Sequence, residues 1–211
     1  MDTVAVRGRR ADAAPNNLPH HLTSFVNREA ELRSLKAVLR TTRIVTLIGT
    51  GGAGKSRLAA ELARANLSLW PDGAWWVELE AATDVPGAVL AALALPGRGP
   101  ALDVVTSWLA GKKALLILDN CEQLVAECAA FSQAMLERCP QLTILAASRE
   151  ALGVSGEVRW PLSSLRDADA MLLFEARARL VSPNFKLATR AQGPVSQICE
   201  RLDRLPLAIE M

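Results

Sequence analysis

The sequence lacks the cysteine and histidine spacing of a zinc module, the apolar start of a secretory signal peptide and the long apolar run of a membrane-spanning helix. Its four cysteines form no C-x-x-C pair, and its two histidines lie far upstream of them, so no zinc-ligand spacing is present. We therefore expect reduced thiols in a core. The chain also has no signal-type apolar segment at its start and no apolar run long enough to cross a bilayer, which favours a cytoplasmic protein without membrane partners.

A large excess of one charge is absent as well. Lys and Arg total 24 against 22 Asp and Glu, for a net charge of +2, which falls short of the basic surplus typical of a dedicated nucleic-acid binder. The basic cluster of Arg7, Arg9 and Arg10 lies in a segment that we expect to be a disordered tail over residues 1–21. Direct nucleic-acid binding by this chain is not expected.

The 211 residues, half of them hydrophobic, are sufficient for one sizeable core. Short apolar runs alternate along the chain with stretches of helical periodicity, and this alternation predicts a parallel sheet covered by helices, an α/β fold. The predicted strands are Ile44–Ile48, Ala74–Leu79, Ala114–Leu118, Leu142–Ala146 and Val158–Leu162. A helix with Asn27 as its N-cap is expected before the first strand.

The pattern changes beyond Leu165. Asp167–Leu180 and Ala191–Leu205 both have helical periodicity, with no strand pattern between them. The sequence therefore predicts an α/β domain over residues 22–164, followed by a partial helical extension over residues 165–211.

The segment from Gly49 to Ser56 matches G-x-x-x-x-G-K-[ST] without a mismatch, and it lies between a strand and a helix as a phosphate-binding loop does. Its glycines allow backbone N–H groups to approach phosphate oxygens, and the helix N-terminus adds partial positive charge. Lys55 is expected to reach the β- and γ-phosphates, and the Ser56 hydroxyl to help hold Mg²⁺. The predicted nucleotide contacts here are Gly49, Gly51, Gly52, Ala53, Gly54, Lys55, Ser56 and Arg57.

A magnesium site beside such a loop needs a carboxylate at the tip of a neighbouring strand. Asp119 follows the apolar run 114–118 and is the candidate metal ligand. The next residue, Asn120, cannot abstract a proton. Glu122 is the nearest carboxylate that could orient a water molecule, but as a first-turn helix residue it could equally provide a favourable contact with the helix dipole.

A third polar feature follows another predicted strand. Arg149 comes after the run 142–147, and therefore lies at the carboxyl edge of the sheet, where open α/β sheets bind ligands. Its forked donors suit phosphate oxygens. Arg149 is thus a candidate contact for the γ-phosphate, whereas by itself it could also be a solvated loop charge.

Five segments, in this order, resemble the STAND-class NTPases of the NB-ARC type, particularly the ATPase domain of large actinobacterial transcriptional regulators. They are Phe25–Leu32, the loop at 49–56, Leu116–Glu122, Ile144–Glu150 and Arg204–Ala208. The likeness extends from Leu22 to Met211. It implies a three-layer P-loop NTPase sandwich with a parallel central sheet, and ATP or ADP together with Mg²⁺ as ligands.

The resemblance also implies roles for individual residues. Lys55 and Ser56 act on phosphates and Mg²⁺, Asp119 binds the metal, and Arg149 is the γ-phosphate sensor. It further places Val26 and Arg28 beside adenine, and Pro206 on the nucleotide from the helical extension. From the residues alone, Arg28 could be a solvated charge at a helix start. Pro206 could simply begin a helix, where its missing N–H costs nothing.

The sequence departs from the family pattern in three places. Asn27 stands where relatives usually have glycine, although asparagine tolerates unusual φ angles. Asn120 replaces a second acid often found there, which weakens the case for fast hydrolysis. The chain also stops at Met211, before the remaining helical bundle and winged-helix region of the family, so a complete switch is not expected of it.

The expected function is therefore a nucleotide-dependent conformational switch module with slow or no Mg²⁺-dependent ATP hydrolysis, in a transcriptional-regulator system. A regulatory protein or a second copy of the chain is the expected partner. One alternative is an active ATPase or a small-molecule kinase, for which the sequence shows no acceptor pocket or lid motif. The other is a stand-alone DNA-binding regulator, for which it shows no helix-turn-helix or basic recognition helix.

Overall fold

The computed structural model describes residues 14–20 and 25–211. Within these ranges the chain forms helices α1 to α8 and strands β1 to β5. Their bounds are α1 Glu29–Leu39, β1 Ile44–Ile48, α2 Lys55–Ala65, β2 Ala74–Glu78, α3 Val85–Ala92, α4 Ala101–Leu109, β3 Leu115–Asp119, α5 Val125–Arg138, β4 Thr143–Ser148, β5 Val158–Pro161, α6 Asp167–Val181, α7 Thr189–Arg201 and α8 Pro206–Glu210. Two short 3₁₀ turns, Leu67–Leu69 and Cys121–Gln123, complete the order.

The five strands form one parallel sheet in the order β2-β3-β4-β1-β5. Every residue of β3 and β4 is buried, which explains why both strands are near-continuous apolar runs in the sequence. Because all strands run in one direction, the loops that follow β1, β3 and β4 meet at the same edge of the sheet. The predicted α/β fold is confirmed.

Two apolar layers cover the faces of the sheet. Side chains alternate between the faces along each strand, so Leu116 and Leu118 of β3 pack with α3, α4 and α5, whereas Leu115 and Ile117 pack with α1 and α2. The arrangement is the three-layer sandwich that the sequence predicted.

The helical extension has an apolar cluster of its own. Its buried members come from the segment before α6 and from α6, α7 and α8, and they are Leu165, Ala170, Leu173, Val195, Cys199 and Ile209. Val26, which precedes α1, packs against this cluster. The extension and the α/β domain therefore share an apolar contact.

Part of the predicted disordered tail is ordered against the sheet. Asn16 forms a parallel bridge with Ala74. The side chain of Asn17 accepts a hydrogen bond from the Trp76 N–H at 2.6 Å and donates one to the Trp76 carbonyl at 2.9 Å, and Leu18 is buried. The prediction of disorder is wrong for residues 14–20 because the outer edge of β2 offers unpaired main-chain groups. Residues 1–13 and 21 of the predicted tail lie outside the described residues.

The expectation of core thiols agrees with the structure, in which all four cysteines are unpaired and buried. In the described part of the chain, no helix combines the length and the apolar character needed to span a bilayer.

Candidate nucleotide-binding site

The loop between β1 and α2 depends on glycine at specific positions. Gly52 and Gly54 have φ angles of +78° and +91°, in the left-handed region that other residues seldom adopt. At Gly49 an added Cβ would lie 2.6 Å from the carbonyl oxygen of Leu162, so a side chain there would displace the backbone that follows β5. Glycine is therefore required at these positions by the backbone conformation and by the close approach of Leu162.

Lys55, the first residue of α2, holds its ammonium group against this loop. Its Nζ donates hydrogen bonds to the carbonyl oxygens of Gly49 at 2.9 Å and Thr50 at 3.0 Å. Burial lowers the pKa of Lys55, and the charges of Glu122 and Asp119 act in the opposite direction. A largely buried cation at a helix N-terminus favours an anion nearby.

Asp119 and Ser56 lie together, as a magnesium site requires. Ser56 Oγ donates a hydrogen bond to Asp119 Oδ1 at 2.8 Å, and Asp119 is only 2% exposed. Burial raises the pKa of Asp119 to about 6, against the lowering effect of the Ser56 hydrogen bond.

The donor set fits Mg²⁺ held jointly with a nucleotide. No group of three or more His, Cys, Asp or Glu side chains within the described ranges could hold a metal ion. Mg²⁺ commonly binds through one or two carboxylates together with substrate phosphates and water. One hydroxyl and one buried carboxylate beside a phosphate loop match that requirement.

Arg149 lies over the loop and pairs with Glu122. Its Nε lies 3.1 Å from Glu122 Oε1, and its Nη2 lies 3.5 Å from the position that a Cβ on Gly51 would occupy. Arg149 is thus not a free surface charge, although its side chain is 66% exposed.

Glu122 is not in the first turn of α5, contrary to one of the two expectations for it. It belongs to the separate turn Cys121–Gln123, because Asn120 has a φ of +59° and redirects the chain before α5 begins. Glu122 therefore lies in the first turn of this 3₁₀ helix and not in that of α5. Asn120 Nδ2 instead donates a hydrogen bond to Glu78 Oε1 at 2.8 Å.

Arg28 is buried and not solvated, since only 4% of it is exposed. Its Nη2 donates hydrogen bonds to the carbonyl oxygens of Ala53 and Ser163, both at 3.0 Å. Burial lowers the pKa of Arg28. The guanidinium group connects the phosphate loop with the segment that leads into the extension, so the alternative of a solvated charge is wrong.

The sequence led us to expect Asn27 as the N-cap of α1, and this prediction is wrong. The helix begins at Glu29 after Arg28, which provides no side-chain cap. Asn27 has a φ of +43°, and its Nδ2 donates a hydrogen bond to Asp169 Oδ1 of α6 at 2.9 Å. The side chain is therefore engaged with the extension, and its backbone has the left-handed φ that asparagine tolerates.

The extension touches the phosphate loop through α8. Pro206 begins this helix, in agreement with the alternative considered for it, and its Cγ lies 3.7 Å from the Cβ position at Gly54. The N–H of Leu207 donates a hydrogen bond to the Gly52 carbonyl oxygen at 3.3 Å. The same loop thus faces the phosphate site and the extension.

These groups surround a cavity of about 450 Å³, a size typical of ligand sites. Of the predicted contacts, those that line it are Val26, Arg28, Gly51, Gly52, Gly54, Lys55, Ser56, Arg57, Glu122, Arg149 and Pro206. Gly49, Ala53 and Asp119 lie outside the lining, and Asp119 reaches it through Ser56.

Sequence analysis missed several lining residues. The extension contributes the apolar residues Leu165, Leu173 and Leu207 and the carboxylate Glu210. The α/β domain contributes the polar residues Glu80 and Gln123. Glu80 was detectable in principle, because it closely follows a predicted strand at the sheet edge. The leucines occupy apolar positions in and around predicted helices, and such positions predict core residues and not residues that line a ligand site.

No family model matches the chain. An uncharacterised protein of Mycobacterium tuberculosis is 42% identical over 199 residues, covering 90% of this chain and 50% of its own length. A candidate HTH-type transcriptional regulator of the same organism is 42% identical over 183 residues, covering 83% of this chain and 20% of its own length. The chain therefore corresponds to half or less of these relatives.

Solved structures of low sequence identity share the architecture of this chain, among them two proteins that are named as ATPases. A STAND protein with a tetratricopeptide repeat sensor from Pyrococcus horikoshii matches at a TM-score of 0.57 and 17% identity, covering 96% of this chain and 31% of its own. Cdc6p from Pyrobaculum aerophilum matches at a TM-score of 0.62 and 14% identity, covering 93% of this chain and 62% of its own. A Walker-type ATPase of Pyrococcus abyssi matches at a TM-score of 0.59 and 13% identity, covering 88% of this chain and 66% of its own. The fold is that of a P-loop NTPase.

Asp119→Asn should stabilise the chain in buffer without divalent cations. Since the folded pKa of about 6 lies above the ordinary 3.8, ionised Asp119 lowers the stability of the fold as pH rises through that window. Above pH 6 the substitution should raise the free energy of unfolding by roughly 1–3 kcal/mol, and the gain should vanish below 3.8. Urea unfolding across pH measures it. Asp103→Asn, which removes an exposed carboxylate of α4, is the charge control, and equal gains in both variants would contradict this account.

Gly52→Ala should loosen α8 from the loop even without nucleotide. The new methyl would lie 3.1 Å from Leu207 Cβ, and overpacking of this kind costs about 1–3 kcal/mol. Amide hydrogen exchange in α8 should become about 5- to 150-fold faster. The control is Gly153→Ala, which has a similar φ of +76° and open space around the added Cβ. Unchanged exchange in the Gly52 variant would show that α8 does not depend on this contact.

Proposed function

We propose that this chain binds ATP or ADP with Mg²⁺, and that the nucleotide controls how the helical extension docks on the α/β domain. One observation carries the proposal: the loop that would hold the phosphates also accepts a hydrogen bond from Leu207 of α8. A ligand that orders or displaces this loop changes the platform on which α8 rests.

The phosphate end of the cavity supports binding of a polyphosphate. The backbone of Gly51, Gly52 and Gly54 and the buried ammonium group of Lys55 supply donors and positive charge. Ser56 and Asp119 would hold Mg²⁺, which when bound neutralises charge on the phosphate oxygens. The resemblance to NB-ARC-type STAND proteins, in which these positions have the same roles, supports the assignment.

The apolar residues that line the cavity support the coupling to the extension. Phe25 and Val26 contribute to its wall from the α/β domain, and Leu165, Leu173 and Pro206 contribute from the extension side. A purine held there contacts both parts of the chain. Since a ligand stabilises whichever conformation binds it more tightly, such a purine favours the docked extension.

Slow hydrolysis is supported by the carboxylates at the phosphate end. A water molecule attacking the γ-phosphate needs a carboxylate or a similar group to orient it. Asn120, which follows Asp119, cannot take a proton and its side chain is engaged with Glu78, and one oxygen of Glu122 is engaged with Arg149. We therefore propose a nucleotide switch and not a rapid ATPase.

The relatives support a place in transcriptional regulation. The chain is 42% identical to part of a candidate HTH-type regulator, and a STAND protein shares its fold. We propose that the chain acts in a cytoplasmic regulatory system. Its partner there is a regulatory protein or a second copy of the chain, and the chain itself does not contact DNA.

Lys55→Ala should weaken the binding of both ADP and ATP by about ten- to a hundredfold, because a charge-assisted contact with the phosphates is lost. Isothermal titration calorimetry in the presence of Mg²⁺ measures both affinities. Lys186→Ala is the matched control, since Lys186 is exposed and does not line the cavity. If the unsubstituted chain and the Lys55 variant both fail to bind either nucleotide, the proposed function is wrong.

A further inference from the structure

Glu122 lies among the cations that would receive the terminal phosphate of a nucleotide. Its Oε1 pairs with Arg149 Nε at 3.1 Å, and both side chains line the cavity together with Lys55. Burial lowers the pKa of Lys55, and among the charges that oppose this effect Glu122 has a larger influence than Asp119. The carboxylate is therefore within the electrostatic reach of both cations.

The second oxygen of the same carboxylate is incompletely satisfied. Oε2 of Glu122 is buried and has no hydrogen-bond partner among the residues that the structure describes. A buried carboxylate oxygen without a partner is costly, so the contact of Oε1 with Arg149 is the one that stabilises this carboxylate among the described residues. The surroundings of Glu122 are those of an anion placed between cations.

We propose that Glu122 determines whether the chain prefers a diphosphate or a triphosphate nucleotide, by occupying Arg149 in place of the γ-phosphate. This inference rests on the proposed function. A γ-phosphate must separate Arg149 from Glu122 and must also approach a carboxylate of like charge. A diphosphate has no terminal group at that position, so it binds while the Arg149–Glu122 pair stays intact.

The size of the effect follows from the exposure of the pair. Arg149 is 66% exposed and Glu122 is 22% exposed, so water and salt screen their attraction and the pair contributes at the level of a surface ion pair. Glu122 therefore changes the relative affinity for ATP and ADP without abolishing the binding of either.

The test is Glu122→Gln, which keeps the shape of the side chain and removes its charge. ATP should bind about two- to fivefold more tightly than to the unsubstituted chain, the range expected of an exposed ion pair, whereas the ADP affinity should stay within the error of the measurement. Calorimetry with Mg²⁺ present gives both dissociation constants. Glu150→Gln is the matched control, because Glu150 is adjacent to Arg149 but does not line the cavity, and its ATP-to-ADP ratio should not change.

A double substitution tests the pairing itself. In an Arg149→Gln background, the Glu122→Gln change should alter the ATP-to-ADP ratio less than it does in the unsubstituted chain, because the guanidinium group that mediates the competition is absent and only the direct repulsion between Glu122 and the γ-phosphate remains. If Glu122→Gln improves ATP and ADP binding equally, or leaves ATP binding unchanged, the inference is wrong. Absence of binding of both nucleotides to the unsubstituted chain would instead overturn the proposed function, so the two failures are distinguishable.

Discussion

The loop after β1 can take its shape only with glycine at particular positions, and the rest of the site depends on that shape. Two of its residues have left-handed φ angles, and Gly49 lies too close to the Leu162 carbonyl oxygen to carry a side chain. This conformation gives Lys55 two carbonyl acceptors at the start of α2. Parallel pairing then brings the ends of β3 and β4 to the same edge, where Asp119 and Arg149 lie beside the loop.

The loop is also the place where the two parts of the chain meet. Arg28 connects its backbone to Ser163 before the extension, and Leu207 hydrogen-bonds to it from α8. A further link joins Asn27 to Asp169 of α6, which also accepts a hydrogen bond from Arg166 at 2.8 Å. Arg28 and Leu207 both line the cavity, so a ligand bound there would contact two of the groups that join the extension to the loop.

The fold, and the positions of the loop, Asp119 and Arg149 at one edge of the sheet, were predictable from the sequence. The predicted strands are the apolar runs that a buried parallel sheet requires. The loop motif was recognisable because its conformation requires glycine at fixed positions. Asp119 followed because a strand tip beside the loop is the position that a metal ligand needs. Each of these predictions depended on residues close together in the sequence.

The remaining features depend on contacts between distant segments. Asn27 had the composition of a helix cap, yet its side chain bonds to Asp169, 142 residues away. Asn17 lay in a segment with the composition of a disordered tail, yet it pairs with the free edge of β2. Local propensity could not distinguish these outcomes, because the deciding partner lies elsewhere in the chain. The apolar wall from the extension was missed for the same reason.

The central claim is that the glycine loop, Lys55 and the Ser56–Asp119 pair together hold a nucleotide polyphosphate. A crystal structure of the full chain with ADP and Mg²⁺ tests it most directly. We expect the β-phosphate on the N–H groups of the loop and Lys55, Mg²⁺ on the Ser56 hydroxyl beside Asp119, and the purine between Val26 and Pro206. A nucleotide bound elsewhere, with this loop free of phosphate, would contradict the account.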